Sequence, residues 1–354
     1  HGRIDRASES TEWGTLDQIR APVVGNFEVM RPLIAEPSRL RQLGRLEEWS
    51  GERFESLSDT FASRRLQGFV RECHGDLHLR NIVVWQGRVT PFDCIEFNPG
   101  FRWIDTASEI AFLMMDLDDH GRADLRRRFL NKYLEETGDF GCLLVLRFYE
   151  AYRAAVRAKV DLLRLQQGVE SRLEETQIVE EWHRYLDLAE SYAEPTAPRL
   201  IITHGLSGSG KTFGTERLLD QIDAIRIRSD IERHRGSQTR AESDRYSDRA
   251  RDAVYDRLAD LANEILRAGY SVIVDATFLR FRQRQQFLAL AQQWKIPFEI
   301  LPFDADIDTL RARIRSRQGD ASEATVAVLE EQIKSREPLR PEEEPFVTTV
   351  AGRG

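Results

Sequence analysis

The sequence predicts an α/β protein: a domain built on a helix-covered parallel sheet, preceded by a mainly helical domain. After residue 199, short apolar and β-branched segments alternate with helical patterns, which is typical of a parallel sheet buried on both faces. Before residue 194, apolar residues recur mostly at intervals of three and four, the period of helices. Pro195 and Pro198 separate the two patterns, so we place domains at 1–194 and 199–354.

Composition narrows the class of protein. The 354 residues are 41% hydrophobic and carry a net charge of −8, which allows two cores and disfavours a broad nucleic-acid surface. Cys73, Cys94 and Cys142 are scattered and give neither a disulfide framework nor a zinc pair. Because no apolar run approaches the roughly 20 residues of a membrane span, we expect a cytoplasmic protein without a membrane partner.

The first half is expected to be helical around one short strand-rich stretch. Helices are predicted at 24–62 (broken near Pro37), 104–117, 143–167 and 170–193. Strands are predicted at 82–85 and 88–92, joined by a turn at Gln86 and Gly87.

The second half is expected to alternate strands with helices. Strands are predicted at 200–203, 224–228, 271–275 and 298–302, and helices at 211–219, 247–268, 282–294, 306–317 and 323–336.

A glycine-rich segment follows the first of these strands and fits the pattern G-x-x-x-x-G-K-[ST]. It consists of Gly205, Leu206, Ser207, Gly208, Ser209, Gly210, Lys211 and Thr212. Glycines let the backbone curl so that successive N–H groups face phosphate oxygens, and the helix N-terminus adds its positive end. We predict that this loop binds ATP, with Lys211 on the β- and γ-phosphates and the Thr212 hydroxyl on Mg²⁺.

Asp275 ends the apolar strand at 271–275. A carboxylate there lies at the carboxyl edge of the sheet, beside the loop, where it can hold the Mg²⁺ shell; capping the next helix is the alternative. Ala276 and Thr277 follow it, so the glutamate that activates water in many ATPases is missing from that position. This favours transfer to an acceptor over hydrolysis.

Four arginines alternate late in the chain, at 311, 313, 315 and 317. Arg313 and Arg317 are four residues apart and share one helix face. We predict that both reach the triphosphate and stabilise the charge that spreads during transfer. A solvated surface stripe is the equal alternative.

The loop, Asp230 after the second strand, Asp275 after the third and the arginine helix together resemble the P-loop kinases of small molecules. The resemblance covers residues 199–340 and implies the strand order 2-3-1-4-5 with a lid. It also implies that Asp230 takes the proton of the acceptor hydroxyl; capping of the following helix is the alternative. Arg233 and Arg235 either line the same pocket or lie on the surface.

A second polar motif lies in the first half, where His74-Gly75-Asp76 is followed by Asn81, the predicted hairpin and Asp93. This arrangement resembles the catalytic loop of aminoglycoside phosphotransferases, over residues 20–190. The resemblance implies that Asp76 orients or deprotonates an acceptor and that Asn81 and Asp93 hold Mg²⁺. A polar turn with capping residues is the alternative.

The resemblance in the first half is to a C-lobe alone. The chain begins at His1 and its first lysine is Lys132, so we expect the N-lobe, with its phosphate-binding lysine, to be missing and the first half to bind ATP poorly. Asp105 resembles the later aspartate that braces the loop in that family. Two such modules in tandem are similar to a bacterial family of fused phosphotransferase-like, ATP-binding proteins.

Three functions follow as hypotheses. The first is an ATP- and Mg²⁺-dependent kinase acting on a small hydroxylated molecule through the second domain, with Asp76 as a second site in an intact parent protein. The second is a nucleotide-operated binding module with a protein partner and little turnover. The third is a polynucleotide 5′-kinase, which the acidic composition disfavours although Arg226, Arg228, Arg233 and Arg235 leave it open.

Overall fold

The computed structural model describes residues 1–236, 248–316 and 325–348. The chain divides into two units, His1–Arg126 with Gly141–Pro195 and Arg127–Phe140 with Thr196–Gly354. The division near Pro195 lies close to the predicted domain limit. It differs from the prediction in one respect, because residues 127–140 group with the second unit.

Helices dominate the first unit. They are α1 (Leu16–Met30), α2 (Pro37–Leu66), α3 (Thr106–Asp119), the start of α4 (Ala123–Thr137), α5 (Leu143–Gln167) and α6 (Arg172–Ser191). The predicted break near Pro37 is present, since α2 begins at this proline, where the missing N–H costs no helical hydrogen bond. Helix α1 begins at Leu16, earlier than predicted.

Four short strands form two separate pairs in this unit. They are β1 (Val70–Glu72), β2 (Ile82–Trp85), β3 (Arg88–Pro91) and β4 (Trp103–Asp105). Strands β2 and β3 pair antiparallel around Gln86 and Gly87, as predicted, and β1 pairs antiparallel with β4. Both turn residues have positive φ, the backbone that a two-residue hairpin requires.

The core of the first unit is built on aromatic rings from α2 and α5. The ring centroid of Phe61 lies 5.3 Å from that of Phe148 and 5.7 Å from that of Tyr149, and Phe54 stacks on Phe61 at 5.8 Å. These side chains are buried, so the two helices are held by large apolar contacts.

The second unit contains the predicted parallel sheet, which is confirmed. Its strands are β5 (Leu200–His204), β6 (Ala224–Arg228), β7 (Ser271–Asp275) and β8 (Phe298–Pro302), in the order β6-β7-β5-β8. Counted within the domain this order is 2-3-1-4. In place of a fifth strand, the described residues give a single parallel bridge between Val347 and Ile300 of β8.

Helices connect these strands at nearly the predicted positions. They are α7 (Lys211–Leu219), α8 (Ser229–Gly236), α9 (Asp248–Arg267), α10 (Phe281–Trp294), α11 (Ile307–Ser316) and α12 (Val326–Ser335). Every residue of β5 is buried, as expected for a central strand covered on both faces. None of the described helices is long and apolar enough to cross a membrane.

A buried ion pair holds the segment after α12 against α10. The fully buried Arg284 guanidinium donates to both carboxylate oxygens of Glu343, at 2.6 and 2.8 Å, and to the carbonyl oxygen of Pro338. A pair of this kind is costly to break, because one charge would stay buried alone. The segment from Glu337 to Val347 is thereby part of the domain.

Candidate functional site

The glycine-rich loop curls between β5 and α7, and its glycines are needed for that shape. Gly208 and Gly210 have φ angles of 83° and 93°, which side chains rarely adopt. A Cβ atom on Gly205 would lie 2.2 Å from the carbonyl oxygen of Phe303. The loop then delivers Lys211 and Thr212 to the first turn of α7, with Gly210 as its N-cap.

Side chains from two other helices brace this loop. The amide of Gln332, on α12, accepts from the N–H of Ser207 at 2.9 Å and donates to the Ser207 hydroxyl at 3.0 Å. Lys211 Nζ donates to the carbonyl oxygens of Gly205 and Leu206, at 3.0 and 2.8 Å. On α11, Arg313 donates to the carbonyl of Gly208 at 3.2 Å. The sequence gave no reason to select Gln332.

Asp275 lies at the end of β7, buried and next to the first turn of α7. Burial raises the pKa of its carboxyl above the ordinary value, which the charges of Lys211 and Arg226 and a hydrogen bond with Thr212 only partly offset. A buried carboxylate beside a hydroxyl offers the hard oxygen ligands that Mg²⁺ prefers. The residues present therefore fit the metal, which Thr212 and Asp275 would hold.

Asp230 lies in the first turn of α8 and opens on the same cleft as Lys211, Thr212 and Asp275. The cleft has a volume of about 1110 Å³, at the upper end of the range for small-molecule sites. Arg233 donates to the Asp230 carboxylate at 3.1 Å. The four residues that the sequence assigned to phosphate, metal and acceptor thus line one cavity.

The late arginines have separate environments. Arg313 lines the cleft, whereas Arg311 donates to Glu330 of α12 at 2.7 Å. Arg317 lies outside the described residues, so its predicted partnership with Arg313 stays a prediction. Arg235 pairs with Glu232 and donates to the carbonyl of Glu135 at 2.7 Å, and these contacts hold α8 against α4.

Part of the cleft wall comes from α4, which the sequence placed in the first domain. Asn131, Lys132 and Glu135 line the cleft together with the loop. This contribution was not predictable from the sequence, because β6, the strand that α4 contacts, begins more than 85 residues after the end of α4. Residues of the segment 127–140 therefore line the cleft together with the predicted domain of residues 199–354.

The polar motif of the first unit forms a closed hydrogen-bond cluster. Asn81 Nδ2 donates to the Asp76 carboxylate and to its carbonyl oxygen, both at 3.0 Å, and His78 Nε2 lies 3.3 Å from the carboxylate. Burial acts to raise the pKa of Asp76, but His78 and Asn81 outweigh it, so the pKa lies below its ordinary value. Asp93 has a left-handed φ of 59° and follows Phe92, whose N–H donates to the Asn81 carbonyl.

Carboxylates from α3 hold the backbone of this motif. Glu109 accepts from the N–H groups of His74 and Gly75 at 2.8 and 3.0 Å, and Asp116 accepts from the N–H of Leu79 at 2.7 Å. Asp105, the expected brace, instead caps α3 through the N–H of Ala107. It also receives two hydrogen bonds from the buried Arg64, at 2.8 and 2.9 Å.

The chain resembles known proteins most clearly in its second unit. Residues 200–339 match the family model described as an AAA domain. An uncharacterized protein of Mycobacterium tuberculosis (Rv2004c) and one of Mycobacterium bovis (Mb2027c) are each 30% identical over 292 residues, which is 80% of this chain and 57% of theirs. The chain thus spans little more than half the length of the curated relatives that it matches.

Solved structures align with less than half of the chain. A sugar kinase from Janibacter sp. HTCC2649 is 20% identical, covering 44% of this chain and 87% of its own, with a TM-score of 0.32. A gluconokinase from Sinorhizobium meliloti 1021 is 20% identical, covering 44% and 85%, with a TM-score of 0.30. The glycine-rich loop and the four parallel strands of the second unit lie within the residues that match the family model.

Proposed function

We propose that the chain is an ATP- and Mg²⁺-dependent kinase that transfers the γ-phosphate to a hydroxyl group of a small molecule. The observation that carries the proposal is that Lys211, Thr212, Asp275 and Asp230 line the same cleft. Phosphate anchor, metal ligands and a base for the acceptor are the parts that phosphoryl transfer requires.

The phosphate side of the cleft provides binding and charge stabilisation. N–H groups of the glycine-rich loop and the ammonium of Lys211 hold the triphosphate. Thr212 and Asp275 would ligate Mg²⁺, which when bound neutralises charge on the β- and γ-phosphate oxygens. Arg313, fixed at the Gly208 carbonyl, adds positive charge beside the loop.

Asp230 provides the acceptor chemistry. The hydroxyl oxygen of the acceptor forms a bond to the γ-phosphorus while the bond from that phosphorus to the β–γ bridging oxygen breaks and ADP leaves. Asp230 accepts the proton of the hydroxyl. Arg233, which donates to Asp230, holds the carboxylate in one orientation.

Two features favour a small acceptor over water or a polynucleotide. Ala276 and Thr277 follow Asp275, so neither of these two positions offers a carboxylate to activate water. The Thr277 hydroxyl lies 3.2 Å from the hydroxyl of Tyr255. Arg226 and Arg235, which a basic nucleic-acid groove would use, are engaged by Glu135 and Glu232 inside the domain. The surface left to a polynucleotide is correspondingly less basic.

The direct test is transfer of label from γ-labelled ATP to a panel of sugars, aminoglycosides, nucleosides and oligonucleotides, with and without Mg²⁺. We expect one small-molecule class to be labelled, and Asp230→Asn to reduce that transfer by about 100-fold or more while ATP binding is kept. Tight ATP binding with no labelled acceptor would favour the binding-module hypothesis. Salt-sensitive labelling of oligonucleotides would favour the polynucleotide kinase.

A further inference from the structure

Helix α4 completes the edge of the sheet beside the cleft. Asn131 accepts from the N–H of Arg226 at 2.7 Å and donates to the carbonyl of Ala224 at 3.0 Å. These two backbone groups belong to β6, an edge strand. Because α4 binds both of them, it fixes the position of Arg226 in β6.

The Arg226 side chain connects α4 to the first turn of α7. Its Nη2 lies 3.2 Å from Glu135 Oε1, while its Nη1 lies 3.2 Å from the Thr212 carbonyl and 3.3 Å from the Thr215 hydroxyl. Arg226 is 7% exposed, and the Glu135 side chain is 13% exposed. The guanidinium is thus a nearly buried charge held between Glu135 and the residue proposed to ligate the metal.

The same guanidinium acts on the second proposed metal ligand. Its Nη1 lies 3.3 Å from the Thr215 hydroxyl, which in turn lies 3.5 Å from the Asp275 carboxylate. A buried cation in the neighbourhood of a carboxylate competes with a metal ion for that carboxylate. The negative charge of Glu135 partly neutralises the Arg226 guanidinium and attracts it toward α4.

We propose that Glu135 is a positioning residue of the Mg²⁺·ATP site: it holds Arg226 against Thr212 and leaves Asp275 available to the metal. This inference rests on the proposed function, since it concerns the same cleft. Glu135 acts through Arg226 and does not touch nucleotide or metal itself. Its loss therefore changes the Mg²⁺ requirement more than the affinity for metal-free nucleotide.

The test is a Mg²⁺ titration of the binding of a fluorescent ATP analogue, with a parallel series in EDTA. We expect Glu135→Gln to raise by about tenfold the Mg²⁺ concentration that gives half-maximal binding of the analogue, because an unpaired Arg226 competes with the metal. Binding of the analogue in EDTA should stay unchanged or become slightly tighter. The matched control is Glu136→Gln, the neighbouring residue, whose side chain is 66% exposed and paired with Lys132. The control should titrate like the wild type.

A second pair of variants covers the case in which Glu135→Gln does not fold because Arg226 is left buried without its partner. Arg226→Gln and the double variant Arg226→Gln/Glu135→Gln should then show the same Mg²⁺ midpoint, since Glu135 acts only through Arg226. A difference between them, or a folded Glu135→Gln with the wild-type midpoint, would overturn the inference. Failure of the wild type to bind the analogue would instead overturn the proposed function.

Discussion

The two units each carry a polar loop that contains glycine, residues 74–81 in the first and residues 205–212 in the second, but the surroundings of their polar groups differ. In the first unit, the N–H groups of His74, Gly75 and Leu79 donate to carboxylates of α3. Asp76 is itself bonded to Asn81 and His78. In the second unit, Lys211, Thr212 and Asp275 line an open cleft of about 1110 Å³.

The difference shows that a motif alone does not tell whether its polar groups serve the protein or a ligand. A backbone N–H that already donates to a buried carboxylate is not free to bind a phosphate. The loop of the first unit is therefore held by carboxylates of α3 as well as by its own side chains, and the assignment of Asn81 and Asp93 to Mg²⁺ stays a prediction. The loop of the second unit combines phosphate-binding geometry with a cavity.

The largest expected effect is a loss of ATP affinity when the loop of the second unit is changed. Lys211→Ala removes the ammonium that we propose holds the β- and γ-phosphates, and we expect ATP affinity to fall by about 100-fold. The measurement is equilibrium binding of ATP with Mg²⁺. Lys132→Ala, at an exposed lysine on the wall of the same cleft, is the control and should lose less than about threefold.

The substitution Asp275→Asn tests whether this carboxylate ligates Mg²⁺. We expect the Mg²⁺ stimulation of ATP binding to fall by about tenfold or more, because a proposed metal ligand is lost. Burial raises the pKa of this carboxyl, so its charged form is less favourable in the folded than in the unfolded state. The charged carboxylate therefore lowers the free energy of unfolding at pH 7. The melting temperature of the variant should therefore not decrease. A lower melting temperature with intact Mg²⁺ stimulation would assign Asp275 a structural role.

Glu109→Gln tests the structural role of polar groups in the first unit. Glu109 is 2% exposed and accepts one backbone N–H at each of its two carboxylate oxygens. Glutamine has only one acceptor oxygen, so one of these N–H groups would lose its partner and face an NH2 group. We expect a loss of about 2 kcal/mol, seen as faster hydrogen exchange at residues 74–79. The exposed Glu175→Gln on α6 should leave exchange there unchanged, and ATP binding should survive in both variants.

The last expected effect is a pH dependence at the end of β5, just before the glycine-rich loop. Burial lowers the pKa of His204 to about 4, below its unfolded value of about 6.5. The unfolded state therefore binds the proton first, and stability decreases as the pH falls from about 6.5 toward 4. Between pH 7.5 and pH 5 the wild type should lose about 2 kcal/mol more than His204→Gln in denaturant titrations. An equal loss in both proteins would exclude His204 as the cause.

Much of the second unit could be predicted from local sequence. The strands at Ala224–Arg228, Ser271–Asp275 and Phe298–Pro302 have the predicted bounds, because short β-branched runs between turns are a strong local signal. The curled shape of the glycine-rich loop was also predictable, since its glycines, lysine and threonine lie within eight successive residues. The aminoglycoside-phosphotransferase resemblance of the first unit stays a prediction, although its hairpin has the predicted turn.

Residues that act across long stretches of sequence were not predictable. Asn131 and Glu135 meet β6 about 90 residues later, and Gln332 meets Ser207 from α12. Each is a polar residue on an ordinary helical pattern, and its partner is set by packing that a local pattern does not encode. Glu109 offered a weak signal, since it is a carboxylate in an otherwise apolar segment of α3.

The central claim is that phosphate transfer belongs to the cleft of the second unit. The most direct measurement is acceptor-dependent transfer of label from γ-labelled ATP, compared between the wild type, Lys211→Ala and Asp76→Asn. We predict that Lys211→Ala abolishes the transfer and that Asp76→Asn retains it. Transfer that survives Lys211→Ala and is lost in Asp76→Asn would contradict the account and place the chemistry in the first unit.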